Sequence, residues 1–288
     1  MSLLSVLALE RCHNPHCRYR TARTRLSPGR GIVFDGDWFC SPSCFESGMQ
    51  VQCSALMAGL FPPAAPQRHR MPLGLLMLSR GWIDLPTLRQ ALQEHGAGGG
   101  RIGEVLCRMG AVTEHQVTCA VATQWSCPVF PLRDRPAALQ YVDQLPLGLL
   151  DRYRALPVHF SPSSRVLHVA FAQEVSSTLL YAAQQMLGCT TEACIADESA
   201  ILQALEAARQ NPARSEFLLA RSGNPSEIAR MAAGYAQKLS ATGGRLLACG
   251  QHLWLRLTRK NEGNDFLFQV PSGMLRNERR PRMALSAP

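Results

Sequence analysis

A 24-residue pattern that occurs twice constrains the fold of this chain more than any other feature of its sequence. The first copy runs from Pro72 to His95 and the second from Arg101 to Gln124, with the spacer GAGGG between them. Equivalent positions are therefore 29 residues apart, from 72 to 101. Self-similarity at a fixed spacing indicates one supersecondary unit that is used twice.

Each copy predicts a pair of short helices. Apolar residues recur at intervals of three and four, which gives every helix one buried face. Gly81 and Gly110 lie where the first helix of each copy is expected to end, because glycine tolerates a left-handed C-cap. Asp84 and Thr113 lie where the second helix is expected to begin with an N-cap. We therefore expect two helix–turn–helix hairpins that form a four-helix packet.

The spacing RLGxxLxxxGxxxxxxLxxxLxxQ, present twice, resembles the MshEN domain at the N-terminus of type II secretion and type IV pilus assembly ATPases. The second copy fits every motif position, with Ile and Val in place of Leu. The first copy has Pro72 where the family has arginine and His95 where it has glutamine. A later phrase, LPLGLLDRYRALPV, is similar to the second half of the same domain, so the resemblance covers about residues 70 to 207.

The resemblance implies a site for cyclic di-GMP on the tandem repeats. Gly74 and Gly103 would leave backbone amides open to phosphate at helix starts, and Arg101 can bind a phosphate or a guanine edge. Apolar side chains can sandwich the purine faces, and Gln124 can bind a base or anchor a loop. Arg70 can compensate for the arginine missing from the first motif. The candidate ligand-binding residues are Arg70, Leu73, Gly74, Leu88, Leu92, His95, Arg101, Ile102, Gly103, Val117, Val121 and Gln124.

The alternative is that glycine and leucine at this spacing only pack two hairpins together. That interpretation explains every apolar position but leaves Arg101 and Gln124 without a role.

Two pairs of cysteines near the N-terminus predict a structural zinc site. The first pair brackets HNPH and the second brackets SPS, at a corner between a predicted strand and a predicted helix. The phrase WFCSPSCF is similar to the second knuckle of treble-clef fingers, and a segment this short has too little core to fold without such a staple. Replacement of one thiolate by His13 or His16, and a metal-free thiol cluster, are the alternatives. The predicted ligands are Cys12, Cys17, Cys40 and Cys44.

The amino-acid composition bears on nucleic-acid binding, on the redox compartment and on membrane insertion. The net charge of +9 comes almost entirely from arginine, but basic charge alone is a weak indication of nucleic acid. The arginine-rich stretch near the N-terminus lacks interleaved aromatic residues, so we favour protein contact over nucleic acid. Eleven cysteines, an odd number, indicate a reducing cytoplasm. No apolar run is long enough for a membrane span, and we infer no signal peptide.

Alternating strands and helices follow the repeats, and a helix with three strands near the C-terminus resembles the opening of the next domain in the same ATPases. No GxxxxGK[ST] phosphate-binding loop occurs, so we expect no enzyme activity. We expect an α+β protein with these segments: a zinc finger with its following helix (1–60), a linker (61–71), an MshEN-like domain (72–207, repeats 72–126 and α/β half 127–207), a linker with a short helix (208–224), a small α/β remnant (225–272) and a disordered tail (273–288).

Two hypotheses follow for function. The first is a non-catalytic, cytoplasmic regulatory or adaptor protein that binds cyclic di-GMP through the tandem repeats. The second is an adaptor that docks on a secretion or pilus platform without any nucleotide ligand.

Overall fold

The computed structural model describes residues 10–17, 22–23, 31–59, 70–210, 216–219, 224–260 and 262–270. The chain divides into two compact units. Unit 1 combines Met1–Phe61 with Phe217–Pro288, and unit 2 is Pro62–Glu216. Helices and sheets are both present, which confirms the α+β class.

The strands are β1 (Glu10–Arg11), β2 (Ala22–Arg23), β3 (Ile32–Phe34), β4 (Asp37–Phe39), β5 (Ala155–Ser161), β6 (Val166–Phe171), β7 (Thr190–Ile195), β8 (Glu216–Leu219), β9 (Gly243–Cys249), β10 (His252–Arg259) and β11 (Glu262–Gln269). The helices are α1 (Pro42–Gly59), α2 (Leu73–Ser79), α3 (Leu85–Gly96), α4 (Ile102–Arg108), α5 (Glu114–Trp125), α6 (Leu147–Tyr153), α7 (Ser177–Leu187), α8 (Glu198–Arg209) and α9 (Pro225–Lys238). The 3-10 segments that the structure describes are Leu132–Asp134 and Pro136–Gln144.

The tandem hairpins are α2 with α3 and α4 with α5, and their helix boundaries keep the 29-residue offset throughout. Gly81 and Gly110 have φ of 68° and 70°, as the predicted left-handed helix ends require. The Asp84 carboxylate accepts a hydrogen bond from the Thr87 amide at 2.9 Å, and the Thr113 hydroxyl accepts one from the Gln116 amide at 3.2 Å. Both predicted N-caps are thereby confirmed.

The second half of unit 2 is a three-stranded sheet in the order β5-β6-β7. Strand β6 pairs with β5 in antiparallel and with β7 in parallel orientation. The segment CPVFPL contributes one β-bridge, between Val129 and Ile195. The two halves of unit 2 are joined by polar contacts: the Glu114 carboxylate accepts hydrogen bonds from Ser199 and Arg133, and the Thr118 hydroxyl donates to Asp197.

Unit 1 unites the two ends of the chain, which the sequence analysis treated as separate segments. Its six strands run in the order β4-β3-β9-β10-β11-β8. The central contact is parallel pairing of Val33 with Gly243 and of Phe34 with Gly244. Helix α1 packs against α9, and one apolar core contains side chains of both segments, such as Phe45 and Phe266. The open edge of β9 and the alanine-rich face of α9 are thus covered by the N-terminal segment.

One prediction in the region between the units is wrong: the segment expected to hold a short helix forms β8 where the structure describes it. A strand at the edge of an existing sheet gains backbone partners that an isolated short helix lacks. The linker before the repeats, apart from its last two residues, and the predicted disordered tail from 273 onward lie outside the described residues.

Candidate functional site

A cavity of about 1170 Å³ lies within unit 2, between the second hairpin and the α/β half. Ligand pockets commonly have volumes of roughly 300–1,000 Å³, so this space is large enough for a nucleotide-sized molecule. Its walls come from α4 and α5, the start of α2 with Arg70 before it, the C-terminal end of α6, the loop between β6 and α7, and the first turns of α7 and α8.

Eight of the twelve candidate ligand-binding residues line this cavity. They are Arg70, Leu73, Arg101, Ile102, Gly103, Val117, Val121 and Gln124. The other four belong to the first hairpin and are not part of its lining: they are Gly74, Leu88, Leu92 and His95. Of these, Leu88 is buried in the core of the hairpins, whereas Leu92 is 51% exposed. Apart from Arg70 and Leu73 at the start of the first repeat, the motif residues that line the cavity all belong to the second repeat.

The two motif glycines have a packing role that is the same in both hairpins. A Cβ atom on Gly74 would lie 2.6 Å from the Leu88 Cδ1 atom. A Cβ atom on Gly103 would lie 2.9 Å from the Val117 Cγ1 atom. Each glycine thus lets the two helices of its hairpin approach closely, and Gly103 lines the cavity in addition.

Each copy of the repeat ends in a side chain that contacts a backbone carbonyl group just before the start of a copy. The Gln124 side-chain amide, at the end of the second copy, donates to the Met71 carbonyl at 2.7 Å. His95 Nδ1, at the end of the first copy, lies 2.6 Å from the Gly100 carbonyl oxygen. His95 and Gln124 are equivalent positions, and so are Met71 and Gly100, because each pair is 29 residues apart. Histidine at position 95 therefore makes the contact that glutamine makes at position 124.

Charged side chains of both signs line the cavity. The four arginines are Arg70, Arg101, Arg152 and Arg154, and the four glutamates are Glu104, Glu114, Glu174 and Glu198. Two of the arginines are engaged within the protein: Arg154 pairs with Glu198, and the Arg70 guanidinium lies 3.2 Å from the centroid of the Trp125 ring.

The side chains of Arg101 and Arg152 make no ion pair or hydrogen bond with any residue that the structure describes. The first turn of α7 adds a third feature that favours anions. Ser177 and Thr178 line the cavity, and backbone N–H groups in a first helical turn lack helical partners.

The sequence analysis missed the lining residues of the α/β half. Arg152 and Arg154 lie in the RYR of LPLGLLDRYRALPV, the phrase that carries the second part of the resemblance, so a signal for them was present. Gln173 and the start of α7 carried no comparable signal, because packing between distant elements brings them to the cavity.

The four predicted zinc ligands lie together in unit 1. Their sulfur atoms are all within 4.8 Å of one another. Two sulfur pairs are 3.6 Å (Cys17–Cys40) and 3.8 Å (Cys40–Cys44) apart. Tetrahedral zinc with bonds of about 2.3 Å requires sulfur atoms about 3.8 Å apart. This cluster can therefore hold a metal ion with little movement.

Local structure explains how the cluster forms. The Cys17 amide donates to the Asn14 carbonyl at 3.0 Å, which folds the first pair into a tight turn. Strand β4 ends at Phe39 and α1 begins at Pro42, so the second pair spans a strand-to-helix corner, as predicted. His13 faces Asp37, with Nδ1 3.2 Å from the carboxylate oxygen. Neither His13 nor His16 belongs to the cluster.

Unit 2 is an α+β domain in which two helical hairpins are followed by a half with a three-stranded sheet. A polar cavity lies between the second hairpin and that half. Residues 125–215 match the family model of the MshEN domain, and the match begins where the second hairpin ends. The resemblance inferred from the sequence is thus confirmed. The match is to the MshEN domain and not to an ATPase motor.

Curated relatives include two type IV pilus assembly ATPases, both named PilB. The protein of Thermus thermophilus is 26% identical over 133 residues, and that of Myxococcus xanthus is 25% identical over 134 residues. Each alignment covers 46% of this chain. The chain spans only 15% and 23% of the length of these two relatives.

Solved structures similar to this chain include MshE with cdg and the N-terminal domain of XpsE. The first is 28% identical, with a TM-score of 0.38, and the match covers 48% of this chain and 99% of that one. The second is 20% identical, with a TM-score of 0.35, and the match covers 46% and 91%. Among the helices that the structure describes, none has both the length and the apolar character needed to cross a bilayer.

Proposed function

We propose that this protein is a non-catalytic regulatory or adaptor protein, related to the N-terminal domains of secretion and pilus ATPases, that binds cyclic di-GMP in the cavity of unit 2. The observation that carries the proposal is the unengaged guanidinium of Arg101 at the wall of this cavity, beside Arg152 and the first turn of α7. A cyclic dinucleotide offers two phosphates and two guanine edges, and arginine can bind either group through two nitrogens. The motif resemblance supplies the identity of the ligand.

The position of the cavity limits which motif residues we expect to bind. Ile102, Val117 and Val121 provide apolar surface for a base, whereas Gln124 is engaged with the Met71 carbonyl and acts as an anchor of the repeat. His95 and Pro72 do not line the cavity. Ligand binding therefore depends mainly on the second hairpin and the α/β half.

Calorimetric titration of the full chain with cyclic di-GMP tests the proposal. An arginine bound to a phosphate or guanine contributes about 1–3 kcal/mol, so Arg101→Ala should weaken binding by roughly one to two decades. Arg89→Ala is the matched control, because Arg89 is an exposed arginine on α3 outside the cavity lining. The proposal is wrong if wild type gives no heat at high micromolar ligand, or if the two substitutions weaken binding equally.

A double substitution separates the two hairpins. Because neither position lines the cavity, Pro72→Arg with His95→Gln should leave the affinity unchanged. Tighter binding by this variant would mean that the ligand contacts the first hairpin as well, as an intact pair of motifs would imply.

Exposed leucines on the first hairpin favour the second candidate function, docking on a secretion or pilus platform without nucleotide. Leu75, Leu85 and Leu92 are 49%, 46% and 51% exposed. This candidate replaces the first one if titration detects no cyclic di-GMP binding.

We further propose that the cysteine cluster of unit 1 binds one structural zinc ion. Four thiolates at tetrahedral spacing suit zinc in a closed site, whose contribution is folding free energy rather than chemistry. Metal analysis of the purified protein should find one zinc per chain. A value well below one, in protein purified without chelators, would contradict this assignment.

A further inference from the structure

Helix α5 carries a thiol and an imidazole in contact. Cys119 Sγ and His115 Nε2, one helical turn apart, are separated by 3.6 Å. On the other side of the ring, His115 Nδ1 lies 3.7 Å from a carboxylate oxygen of Asp197. The thiol, the imidazole and the carboxylate thus lie in a row in space. In such an arrangement a base activates a cysteine nucleophile and a third group orients the base.

The carboxylate is fixed and the other two groups reach solvent. The Asp197 side chain is only 18% exposed, accepts a hydrogen bond from the Thr118 hydroxyl at 2.7 Å, and pairs with Arg133 at 3.4 Å. Glu114, the other acidic group here, is bound by Arg133 and Ser199. The His115 side chain is 68% exposed and Cys119 is half-buried, so a small reagent can reach both.

Two other cysteines of unit 2 have similar exposure but a different environment. Cys107 and Cys127 are also half-buried, and burial raises the pKa of both thiols. The Cys127 thiol donates to the Trp125 carbonyl, and no contact of either thiol with a histidine is found among the described residues. They are therefore internal references for the reactivity of Cys119.

We propose that Cys119 is a nucleophilic thiol that undergoes exchange with low-molecular-weight disulfides. His115 takes the thiol proton, the Cys119 thiolate attacks one sulfur of the disulfide, and the sulfur–sulfur bond of the reagent breaks. The leaving thiolate takes the proton from the His115 imidazolium. The products are a mixed disulfide at Cys119 and one free thiol. Cys119 is oxidised, and the half of the reagent that leaves is reduced to that thiol. The modification is reversible and lies on the helix that also carries Val117 and Val121 of the cavity wall.

The test uses the full-length reduced protein and 2-hydroxyethyl disulfide, an uncharged probe. Peptide mass spectrometry follows the modification of each cysteine with time at pH 7. An ordinary thiol is only a few per cent ionised at this pH, so transfer of its proton to a base can raise the exchange rate about tenfold. We expect Cys119 to react about tenfold faster than Cys107 and Cys127. Equal rates for the three thiols in the unmodified sequence would overturn the proposal without any variant.

His115→Gln gives the second measurement. The Cys119 rate should fall about tenfold, whereas the rates of the two references should stay constant and so report an intact fold. His95→Gln, on α3, is the matched control and should change none of the three rates. If the Cys119 rate does not change in His115→Gln, its reactivity comes from exposure alone and the proposed role of the histidine is wrong.

Discussion

Replacing Cys40 by serine tests whether metal binding holds the two ends of the chain together. Cys40 lies within 4 Å of two other cluster sulfurs, so its loss opens the proposed zinc site. Structural zinc contributes about 10–16 kcal/mol of apparent binding free energy in finger peptides, whereas whole domains are stable by only about 5–15 kcal/mol. The loss of one ligand can therefore remove most of the stability of unit 1.

The shared core makes the effect reach the C-terminal strands. Strand β3 pairs directly with β9, and Phe45 of α1 lies in the same core as Phe266 of β11. If the metal orders β3, β4 and α1, then β9–β11 lose their neighbours when the metal is lost. Unit 2 has its own core and should remain folded.

Amide hydrogen exchange measured by mass spectrometry can resolve the two units. In Cys40→Ser, we expect lost protection in peptides of β9–β11 and unchanged protection in peptides of β5–β7. Cys53→Ser, on the adjoining helix α1, is the control, because Cys53 is fully buried but outside the cluster, and a buried polar substitution of this kind costs about 1–3 kcal/mol. Unchanged exchange in β9–β11 of the Cys40 variant, or equal loss in both variants, would refute the reasoning.

Three further outcomes are expected. His95→Ala should lower the free energy of unfolding of unit 2 by about 0.5–1.5 kcal/mol because it removes the bond to the Gly100 carbonyl, and His95→Gln should restore it; equal denaturation midpoints for both variants would exclude that role. Asp265→Ala should destabilise unit 1 by about 3–5 kcal/mol, since it removes the carboxylate that accepts hydrogen bonds from the Arg256 guanidinium and the Trp254 indole N–H in a buried site; a urea denaturation curve measures the loss, and a shift below about 1 kcal/mol would contradict it. Purified protein should not hydrolyse ATP, because the sequence contains no phosphate-binding loop of the GxxxxGK[ST] type; turnover that follows this protein through every purification step would show otherwise.

The sequence predicted most of the local structure, because local structure depends on nearby residues. The N-caps at Asp84 and Thr113 and the glycine helix ends could be located from residues a few positions apart. The pairing of Val33 with Gly243 could not, because parallel pairing between the two ends of the chain leaves no short-range pattern. Most of the cavity wall contributed by the α/β half was missed for the same reason.

The cysteine cluster combines local features that could be predicted with a long-range contact. Its two pairs are distant in sequence, but each pair carries its own short-range spacing, and zinc chemistry predicts that two such pairs meet. The preference of zinc for four ligands therefore predicted a long-range contact that no nearby residues indicate, and the structure brings the four sulfur atoms together. The contact of Cys119 with His115 needed no such rule, since residues four apart on a helix are neighbours, yet the sequence analysis did not single it out.

The two hairpins share one backbone but differ in what covers them. Glu114 of the second hairpin binds the Ser199 amide at 2.8 Å and so attaches α8, whereas its equivalent, Leu85, is 46% exposed. Val121 is 4% exposed at the cavity, whereas its equivalent, Leu92, is 51% exposed. The departures at Pro72 and His95 therefore fall at positions outside the cavity lining, and His95 still closes the repeat. A ligand site can persist on the second hairpin because neither changed position of the first copy lines the cavity.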